Sequence, residues 1–160
     1  MGHPRRHRRK YSRPLKPYDK NRITNEKSMM KKYGLRRKKE IWKAEAVVRI
    51  FRQRARDLLV ESNPKLKEEM MQRLRKMGIT VNNPEDVLSL KLEDLLSRRL
   101  ETIVHKKGVA KSLKEARQMI VHGHVKVGGK VVEWPGYIVP AGLEGSVESS
   151  RAYEIKKEAS

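Results

Sequence analysis

The stretch of residues 95–142 constrains the fold of this chain most, because two short amphipathic helical patterns are followed at once by a hairpin pattern. Apolar residues at helical spacing predict the first helix from about Leu92 to Lys107, with Gly108 as its cap. The spacing of Ser112 to Glu115 is that of a capping box and predicts the start of the second helix. The stretch therefore predicts a small module of mixed α and β structure.

The hairpin pattern begins directly after the second helix. Polar and apolar residues alternate through residues 124–127, which is the periodicity of a half-buried strand. Gly128-Gly129 is a two-residue hairpin turn signal, and Val131-Val132 begins the return strand. Pro135 then breaks the pairing, because proline cannot donate to a ladder. Residues 137–139 are predicted to form another short strand.

Residues 39–60 give the clearest helical pattern of the chain. Its apolar stripe consists of Ala44, Val48, Phe51, Ala55 and Leu58. Arg49, Arg52 and Arg56 follow a spacing of their own, so they share a different face of the same helix. A row of arginines beside a core stripe suits the phosphate backbone of a nucleic acid, although an ordinary solvated face shows the same pattern.

Two further helices are predicted between this helix and the module. Asn63 and Pro64 mark the start of the first, with Gly78 as its left-handed C-terminal residue. A second start signal at residues 82–86 predicts a short helix to about Leu88. The interpretation is a helical lobe over residues 40–90 that presents basic faces rigidly.

Positive charge is concentrated at the N-terminus. The chain has 39 Lys and Arg against 19 Asp and Glu, a net charge of +20, which favours a polyanionic partner. Residues 1–40 hold 16 of these cations against three acids and show no sustained apolar period, so residues 1–39 are predicted to be an extended arm that orders only on RNA. The candidate phosphate contacts of this arm are Arg5, Arg6, Arg8, Arg9, Arg36, Arg37 and Lys38. A solubility tail or a localisation signal has a similar composition.

Several classes of protein are disfavoured by what the sequence lacks. The absence of cysteine excludes a disulfide, a thiolate metal site and a cysteine nucleophile. No apolar run reaches 18 residues, so no transmembrane helix is expected. The basic N-terminus lacks the apolar centre of a secretory signal. An intracellular protein is the simplest expectation.

Five short motifs occur in a fixed order within residues 98–137. They are Arg98-Arg99-Leu100, Gly108-Val109-Ala110-Lys111-Ser112, Ala116-Arg117-Gln118, His122-Gly123-His124-Val125 and Pro135-Gly136-Tyr137. In this order they resemble the S-four-type RNA-binding domain, an αL-shaped fold named after a small-subunit ribosomal protein. Residues 33–42, with the arginine-rich helix that follows, look like the N-terminal region of archaeal and eukaryotic ribosomal proteins of the S-four family. Together the resemblance covers most of residues 5–140.

The resemblance implies an α+β fold class with three parts: an extended basic N-terminal arm, a helical N-terminal lobe, and an αL-type RNA-binding module. The module has two short helices and a small antiparallel sheet. The implied boundaries are 1–39 for the arm, 40–90 for the lobe, 91–142 for the module and 143–160 for a C-terminal segment. Residues 152–155 of this last segment are a candidate strand.

Carried over residue by residue, the RNA surface of the family implies RNA-binding roles for ten residues of the module. They are Arg98, Arg99, Lys111, Ser112, Lys114, Arg117, Gln118, His122, His124 and Lys126. Leu113 departs from the pattern, since many relatives have a basic residue there, and one contact is expected to be weaker for it. Arg49, Arg52 and Arg56 of the preceding helix complete the predicted RNA surface.

The implied function is that of a structural, non-catalytic constituent of the small ribosomal subunit, cytoplasmic and ribosome-bound. Such a protein binds small-subunit rRNA directly and early in assembly, near the side where mRNA enters, and has a role in translational accuracy. The expected partners are this rRNA, neighbouring small-subunit proteins and mRNA at its channel. No cofactor, metal ion, membrane or homo-oligomer is expected.

Two other functions stay open on the residues alone. An RNA-modifying enzyme that uses the module for targeting would need a positioned acid, base or nucleophile. Asp19 is the only acid without an evident structural role, and His105, His122 and His124 are few ligands for a metal site. An architectural DNA-binding protein would share the charge, but the sequence shows no intercalating wedge or groove-reading helix.

Overall fold

The computed structural model describes residues 10–60, 63–81 and 83–150, and these residues form the predicted α+β fold. The helices are α1 (Lys20–Tyr33), α2 (Lys38–Val60), α3 (Pro64–Lys76), α4 (Pro84–Leu88), α5 (Leu92–Ser97), α6 (Leu100–Lys106) and α7 (Leu113–Val121). The strands are β1 (Val125–Val127), β2 (Lys130–Val131) and β3 (Val147–Ser149), and a 3₁₀ turn spans Ala141–Leu143. None of the helices within these residues has both the length and the hydrophobicity needed to cross a membrane.

Helix α2 is the spine of the first hydrophobic cluster, as its apolar stripe predicts. Ile41, Ala44, Val48, Phe51 and Ala55 are buried on one face of the helix. Helices α1, α4 and α5 pack against α2. The cluster extends along the chain from Tyr33 to Leu96. The predicted helices at residues 64–76 and 84–88 are confirmed, with Gly78 in the left-handed region.

The expectation that residues 1–40 have no regular structure of their own is wrong for α1. Asp19, which has no evident role in the sequence, is the N-cap of this helix, and its carboxylate accepts from the backbone N–H of Asn21 at 3.1 Å. Tyr33 at the other end is buried in the first cluster together with Leu35. Because α1 has a weak apolar period, its contacts with α2 rather than its own pattern hold it in place.

The single helix predicted over residues 92–107 is also wrong, because it is divided into α5 and α6 at Arg98-Arg99. The backbone N–H of Leu100 donates to Tyr137 O at 2.8 Å, and the N–H of Glu101 donates to Pro135 O at 3.3 Å. A distant segment therefore satisfies donors at the start of α6. No proline or glycine marks the break in the sequence.

The sheet has the strand order β2-β1-β3, and all its pairs are antiparallel. The predicted hairpin is confirmed, and Gly128 and Gly129 both have the positive φ that its two-residue turn requires. The third strand is β3, however, and not residues 137–139. Ile138 instead forms an isolated bridge with Arg99, at the junction of α5 and α6. The candidate strand at residues 152–155 lies outside the described residues.

The second hydrophobic cluster joins α6, α7 and the sheet. Ala116, Met119 and Ile120 of α7 pack with the α6 side chains of Leu100, Ile103 and Val104 and with the valines of β1. Ser112 caps α7 by accepting from the N–H of Glu115 at 3.3 Å. The carboxylate of Glu115 accepts from the N–H of Lys111 at 2.7 Å, one residue earlier than a capping box requires. The exposed face of α7 is therefore held on a well-packed base.

Replacing Gly34 with alanine is expected to lower the free energy of unfolding by about 2 kcal/mol. Gly34 follows α1 with a φ of 65°, and a Cβ there would lie 2.7 Å from Oε1 of Glu101 and 2.8 Å from Cβ of Leu113. Both the backbone conformation and the space therefore select glycine. Urea unfolding followed by circular dichroism measures the effect, with Gly142→Ala, whose Cβ meets nothing, as the matched control. Equal stability of the two variants would contradict this packing.

Candidate nucleic-acid interface

The exposed face of α7 carries a polar and basic stripe. It consists of Lys111, Lys114, Gln118 and His122, and all four side chains are exposed. Lys114 and Gln118 lie one turn apart on α7, opposite the face that Ala116 and Ile120 bury, while Lys111 precedes the N-cap and His122 is the C-cap. The structure thus brings together four of the predicted RNA-binding residues as an α7 stripe, at the surface and on a rigid helix.

Three more predicted residues lie beside this stripe. The rings of His122 and His124 stack with their centroids 6.3 Å apart. Lys126 lies on the solvent face of β1, between Val131 of β2 and Glu148 of β3. Ser112 is exposed, and its hydroxyl oxygen caps α7. It therefore holds the N-terminus of the helix as well as lying beside Lys111.

Arg98 is engaged inside the protein rather than at its surface. Its guanidinium donates to Glu144 at 2.8 Å, to Met77 O at 3.1 Å and to Val139 O at 3.4 Å. These partners belong to three separate segments of the chain. Arg98 thus ties α5 to the loops before α4 and before β3, which leaves little of its guanidinium for a phosphate.

Arg99 is buried even more completely, with 7% of its surface exposed. Its Nη2 lies 2.6 Å from Glu40 of α2 and 3.6 Å from Glu101 of α6. Burial raises the pKa of Glu40, but the hydrogen bond and charge of Arg99 outweigh it, so this pKa lies below its ordinary value. Arg98 and Arg99 therefore connect the two hydrophobic clusters. Their guanidinium groups are engaged within the protein, which does not favour a direct contact with RNA.

Glu101 is the centre of a charged cluster that the sequence does not single out. Its carboxylate is fully buried, 3.6 Å from Arg99 and 3.5 Å from Arg117 of α7. The pKa of Glu101 is raised to about 7, mainly by burial and to a smaller extent by the negative charge of Glu40. The positive charges of Arg99 and Arg117 lower it, but they do not outweigh burial. Arg117 is one of the predicted RNA-binding residues. About a quarter of its side chain is exposed, and its guanidinium faces this cluster.

A second buried carboxylate connects α1 to α2. Glu26 accepts from the indole N–H of Trp42 at 3.0 Å, and Lys38 lies 3.1 Å from its other oxygen. Burial raises the pKa of Glu26, but the bonds from Trp42 and Lys38 outweigh it, so this pKa lies below its ordinary value. Lys38, predicted as a phosphate contact, is thus committed to an internal ion pair, whereas Arg36 and Arg37 are exposed in the α1–α2 loop.

The three arginines of α2 do share one face, as predicted. Arg49, Arg52 and Arg56 line a cleft together with Met29 and Leu92. Arg49 and Arg56 are exposed, while Arg52 is half-buried and donates to Leu90 O at 2.6 Å. Glu45 lines the same cleft, so its charge is mixed. Arg5, Arg6, Arg8 and Arg9 lie outside the described residues.

Comparisons with known proteins agree with this arrangement of clusters. Residues 98–144 match the S4 domain family, so the match begins where α5 ends and covers most of the second cluster. The chain is 45% identical over 163 positions to small ribosomal subunit protein uS4 of Methanothermobacter thermautotrophicus, covering 99% of this chain and 95% of that protein. It is 47% identical over 144 positions to small ribosomal subunit protein uS4 of Ignicoccus hospitalis, covering 87% of each. This chain belongs to the uS4 family.

Membership of the uS4 family directs attention to a basic surface that the sequence pattern missed. Helix α1 exposes Lys20, Lys27 and Lys31, whose spacing of seven and four places them on one side of the helix. The signals that could have found it are Asp19 as N-cap and Gly34 as C-terminal left-handed residue. In the sequence alone these lysines are scattered charges. In the helix they form one exposed basic surface, the α1 stripe.

The uS4 fold also bears on the metal and catalytic alternatives. Within residues 10–60, 63–81 and 83–150, no three His, Asp or Glu side chains are arranged to hold a metal ion. His105 faces the backbone, with Nδ1 3.2 Å from Ala110 O. Asp19 caps α1, and the buried carboxylates Glu26 and Glu101 face arginine or lysine side chains of the protein itself.

Proposed function

We propose that this uS4-family chain is a structural constituent of the small ribosomal subunit that binds small-subunit rRNA directly and works on the ribosome in the cytoplasm. The observation that carries the proposal is the α7 stripe, which presents Lys111 and Lys114 at the surface of the segment that matches the S4 domain. Lysines beside a helix N-terminus favour a phosphate, because the backbone N–H groups there attract negative charge as well.

The RNA surface that we propose differs from the full predicted set. It keeps Lys111, Lys114, Gln118, His122 and Lys126 of the module, with Arg49 and Arg56 of α2. Arg98 and Arg99 act as positioning residues instead, since their guanidinium groups hold the two clusters together. Arg117 has both an exposed edge and a buried partner. The α1 stripe is an addition to the surface.

The recognition that this surface supports is of phosphates and shape. The major groove of A-form RNA is too deep and narrow for side chains to contact its base edges. Two separate basic stripes, on α1 and α7, allow one rigid protein to contact more than one RNA helix. This geometry supports the further proposal that the protein joins early, at a junction of rRNA helices near the side where mRNA enters, and influences translational accuracy. Its neighbours there would be other small-subunit proteins and mRNA, with no second copy of itself.

The double variant Lys111→Gln with Lys114→Gln is expected to bind a small-subunit rRNA transcript more weakly. The slope of log K against log salt is expected to fall by about 1.4–1.8, because each neutralised phosphate contributes about 0.7–0.9. Filter binding over a range of potassium chloride concentrations measures the slope. The matched control is Lys65→Gln with Lys67→Gln, because both lysines are exposed in the first turn of α3 and do not belong to the α7 stripe. The control slope is expected to equal that of the wild type.

Two results would overturn the proposed function. One is an affinity for the rRNA transcript that does not change with salt concentration. The other is equal affinity for the transcript and for random duplex DNA, which would favour a general polyanion-binding or DNA-binding protein. Unfolding in urea, measured for each variant, keeps a loss of binding distinct from a loss of structure.

A further inference from the structure

Trp134 is 74% exposed, in a part of the chain that is otherwise firmly held. It begins a turn in which the N–H of Tyr137 donates to Trp134 O at 3.0 Å. The same turn is fixed to the start of α6, because Tyr137 O and Pro135 O accept from the backbone N–H groups of Leu100 and Glu101. The indole therefore stands in solvent on a rigid support, whereas Trp42 is partly buried and donates to Glu26.

The surroundings of Trp134 are apolar and nearly neutral. Val131 of β2 is 50% exposed and Tyr137 is 36% exposed. On the solvent face of the sheet, Val131, Lys126 and Glu148 stand side by side, so one cation and one anion balance each other. Glu133, which precedes Trp134 in the chain, is exposed, and its Oε1 would lie 3.9 Å from a Cβ on Gly123. Such a surface does not attract a phosphate group, but it can pack against an uncharged aromatic ring.

The neutral surface adjoins the basic α7 stripe. A Cβ placed on Gly123, the residue after His122, would lie 3.5 Å from Val131. The end of α7 and the hairpin are thus in contact, and the cationic and aromatic surfaces are neighbours. Proteins that bind unpaired nucleotides combine these two features, because cations track the backbone while aromatic rings stack on the bases.

We propose that Trp134 is a stacking platform for an unpaired nucleobase of the RNA whose phosphates contact the α7 stripe. The proposal rests on the proposed function and adds to it a site that contacts a base. A neighbouring protein would instead be expected to meet a larger continuous apolar surface, with charged residues depleted at its centre. The charges of Lys126, Glu133 and Glu148 are at odds with that.

Fluorescence tests the proposal directly, because the chain has two tryptophans and Trp42→Phe leaves Trp134 as the only one. Adding a small-subunit rRNA transcript to this variant is expected to quench the emission and to protect the indole from acrylamide. A blunt RNA duplex, which has no unpaired base, is expected to do neither. If loss of the Trp42 bond to Glu26 unfolds the variant, the difference between wild type and Trp134→Ala supplies the same signal.

Affinity gives a second measurement. Trp134→Ala is expected to weaken binding to the transcript by about 10-fold, with the salt slope unchanged because no phosphate contact is lost. Trp134→Phe, which keeps a ring, is expected to recover most of that affinity. Leu143→Ala is the matched control, since Leu143 is an exposed apolar residue at the 3₁₀ turn, and its affinity is expected to equal that of the wild type.

The outcomes separate the two proposals. If the wild type does not bind the transcript with a salt-dependent affinity, the proposed function fails. If it does, but the emission and the acrylamide protection of Trp134 do not change and Trp134→Ala binds normally, only the stacking platform is overturned. Emission that changes only after small-subunit proteins are added to the RNA complex would also overturn it, in favour of a contact with protein.

Discussion

Replacing Arg99 with methionine is expected to lower the free energy of unfolding by about 3–5 kcal/mol at pH 8, because it removes the buried cation that pairs with both Glu40 and Glu101. Arg99 lies between Glu40 and Glu101, at 2.6 Å and 3.6 Å. Glu101 is fully buried, so it cannot replace the lost cation with water, and of its two arginines only Arg117 remains, at 3.5 Å. Methionine keeps most of the volume and removes the charge. Urea unfolding followed by circular dichroism measures the loss, since urea does not screen ion pairs.

A rescue experiment separates charge from packing in this variant. Adding Glu101→Gln to Arg99→Met removes the carboxylate that lost its cation, and the gain in stability is expected to exceed the gain that Glu101→Gln gives in the wild type. Arg37→Met is the matched surface control, because Arg37 is exposed, and its effect is expected to stay within about 0.5 kcal/mol. A cost below about 1 kcal/mol for Arg99→Met at pH 8, or no recovery in the double variant, would show that the cluster does not join the two halves of the fold.

Replacing Glu101 with glutamine is expected to stabilise the protein by about 3 kcal/mol at pH 8 and to have little effect near pH 4.5. The pKa of Glu101 is raised from 4.5 to about 7 in the folded chain by burial. Between these two values the folded protein holds a proton that the unfolded chain has released, so the stability of the wild type falls as the pH rises. Above about pH 7 both states are ionised, and the full cost is present.

Comparing wild type and Glu101→Gln in urea at several pH values measures this dependence. Glu26 and Glu40, whose pKa values are lowered, favour the folded state at higher pH and lose that contribution as the pH falls through them. They are present in both proteins, so the difference between the two curves reports Glu101 together with its coupling to Glu40. Parallel curves of unfolding free energy against pH for the two proteins between pH 4.5 and pH 8 would contradict the raised pKa of Glu101.

Arg99 and Glu101 belong to one charged cluster, which connects α2 to α7. Glu40 belongs to α2, Arg99 to the α5–α6 junction and Arg117 to α7. The ion pairs among them therefore fix the α7 stripe relative to the arginines of α2. A rigid spacing matters for a protein that recognises the shape of RNA, because phosphates of a folded RNA are themselves at fixed distances.

The parts of the fold that sequence alone predicts are those whose information is local. The apolar stripe of α2, the Ser112 cap of α7 and the Gly128-Gly129 turn each depend on residues within a few positions of one another. Helical and strand periodicities identify which face is buried, so they also place Lys114 and Gln118 at the surface. The ordered motifs of residues 98–137 were enough to indicate the family.

The parts that failed depend on contacts between distant segments. The predicted helix at 92–107 is divided because residues 135–139 bond to the backbone at the junction of α5 and α6, and the same bonds keep Ile138 out of the sheet. The internal ion pairs of Arg98 and Arg99 could not be predicted for a similar reason. A guanidinium in a sequence carries no sign of whether a carboxylate from another element, such as Glu40, will meet it.

The sequence by itself determined the fold class, the main helices, the hairpin and the family, because short-range periodicity, capping and turn residues encode them. Only the tertiary structure decided which cations reach solvent. Lys111 and Lys114 stay exposed because α7 buries its opposite face, whereas Arg98, Arg99 and Lys38 are drawn inward by Glu144, Glu40 and Glu26. The physical reason is that carboxylates with little exposure, such as Glu26 and Glu40, need a cationic partner, while Arg98 is held by two backbone carbonyls together with the half-exposed Glu144. Folding alone determines which cation is near enough.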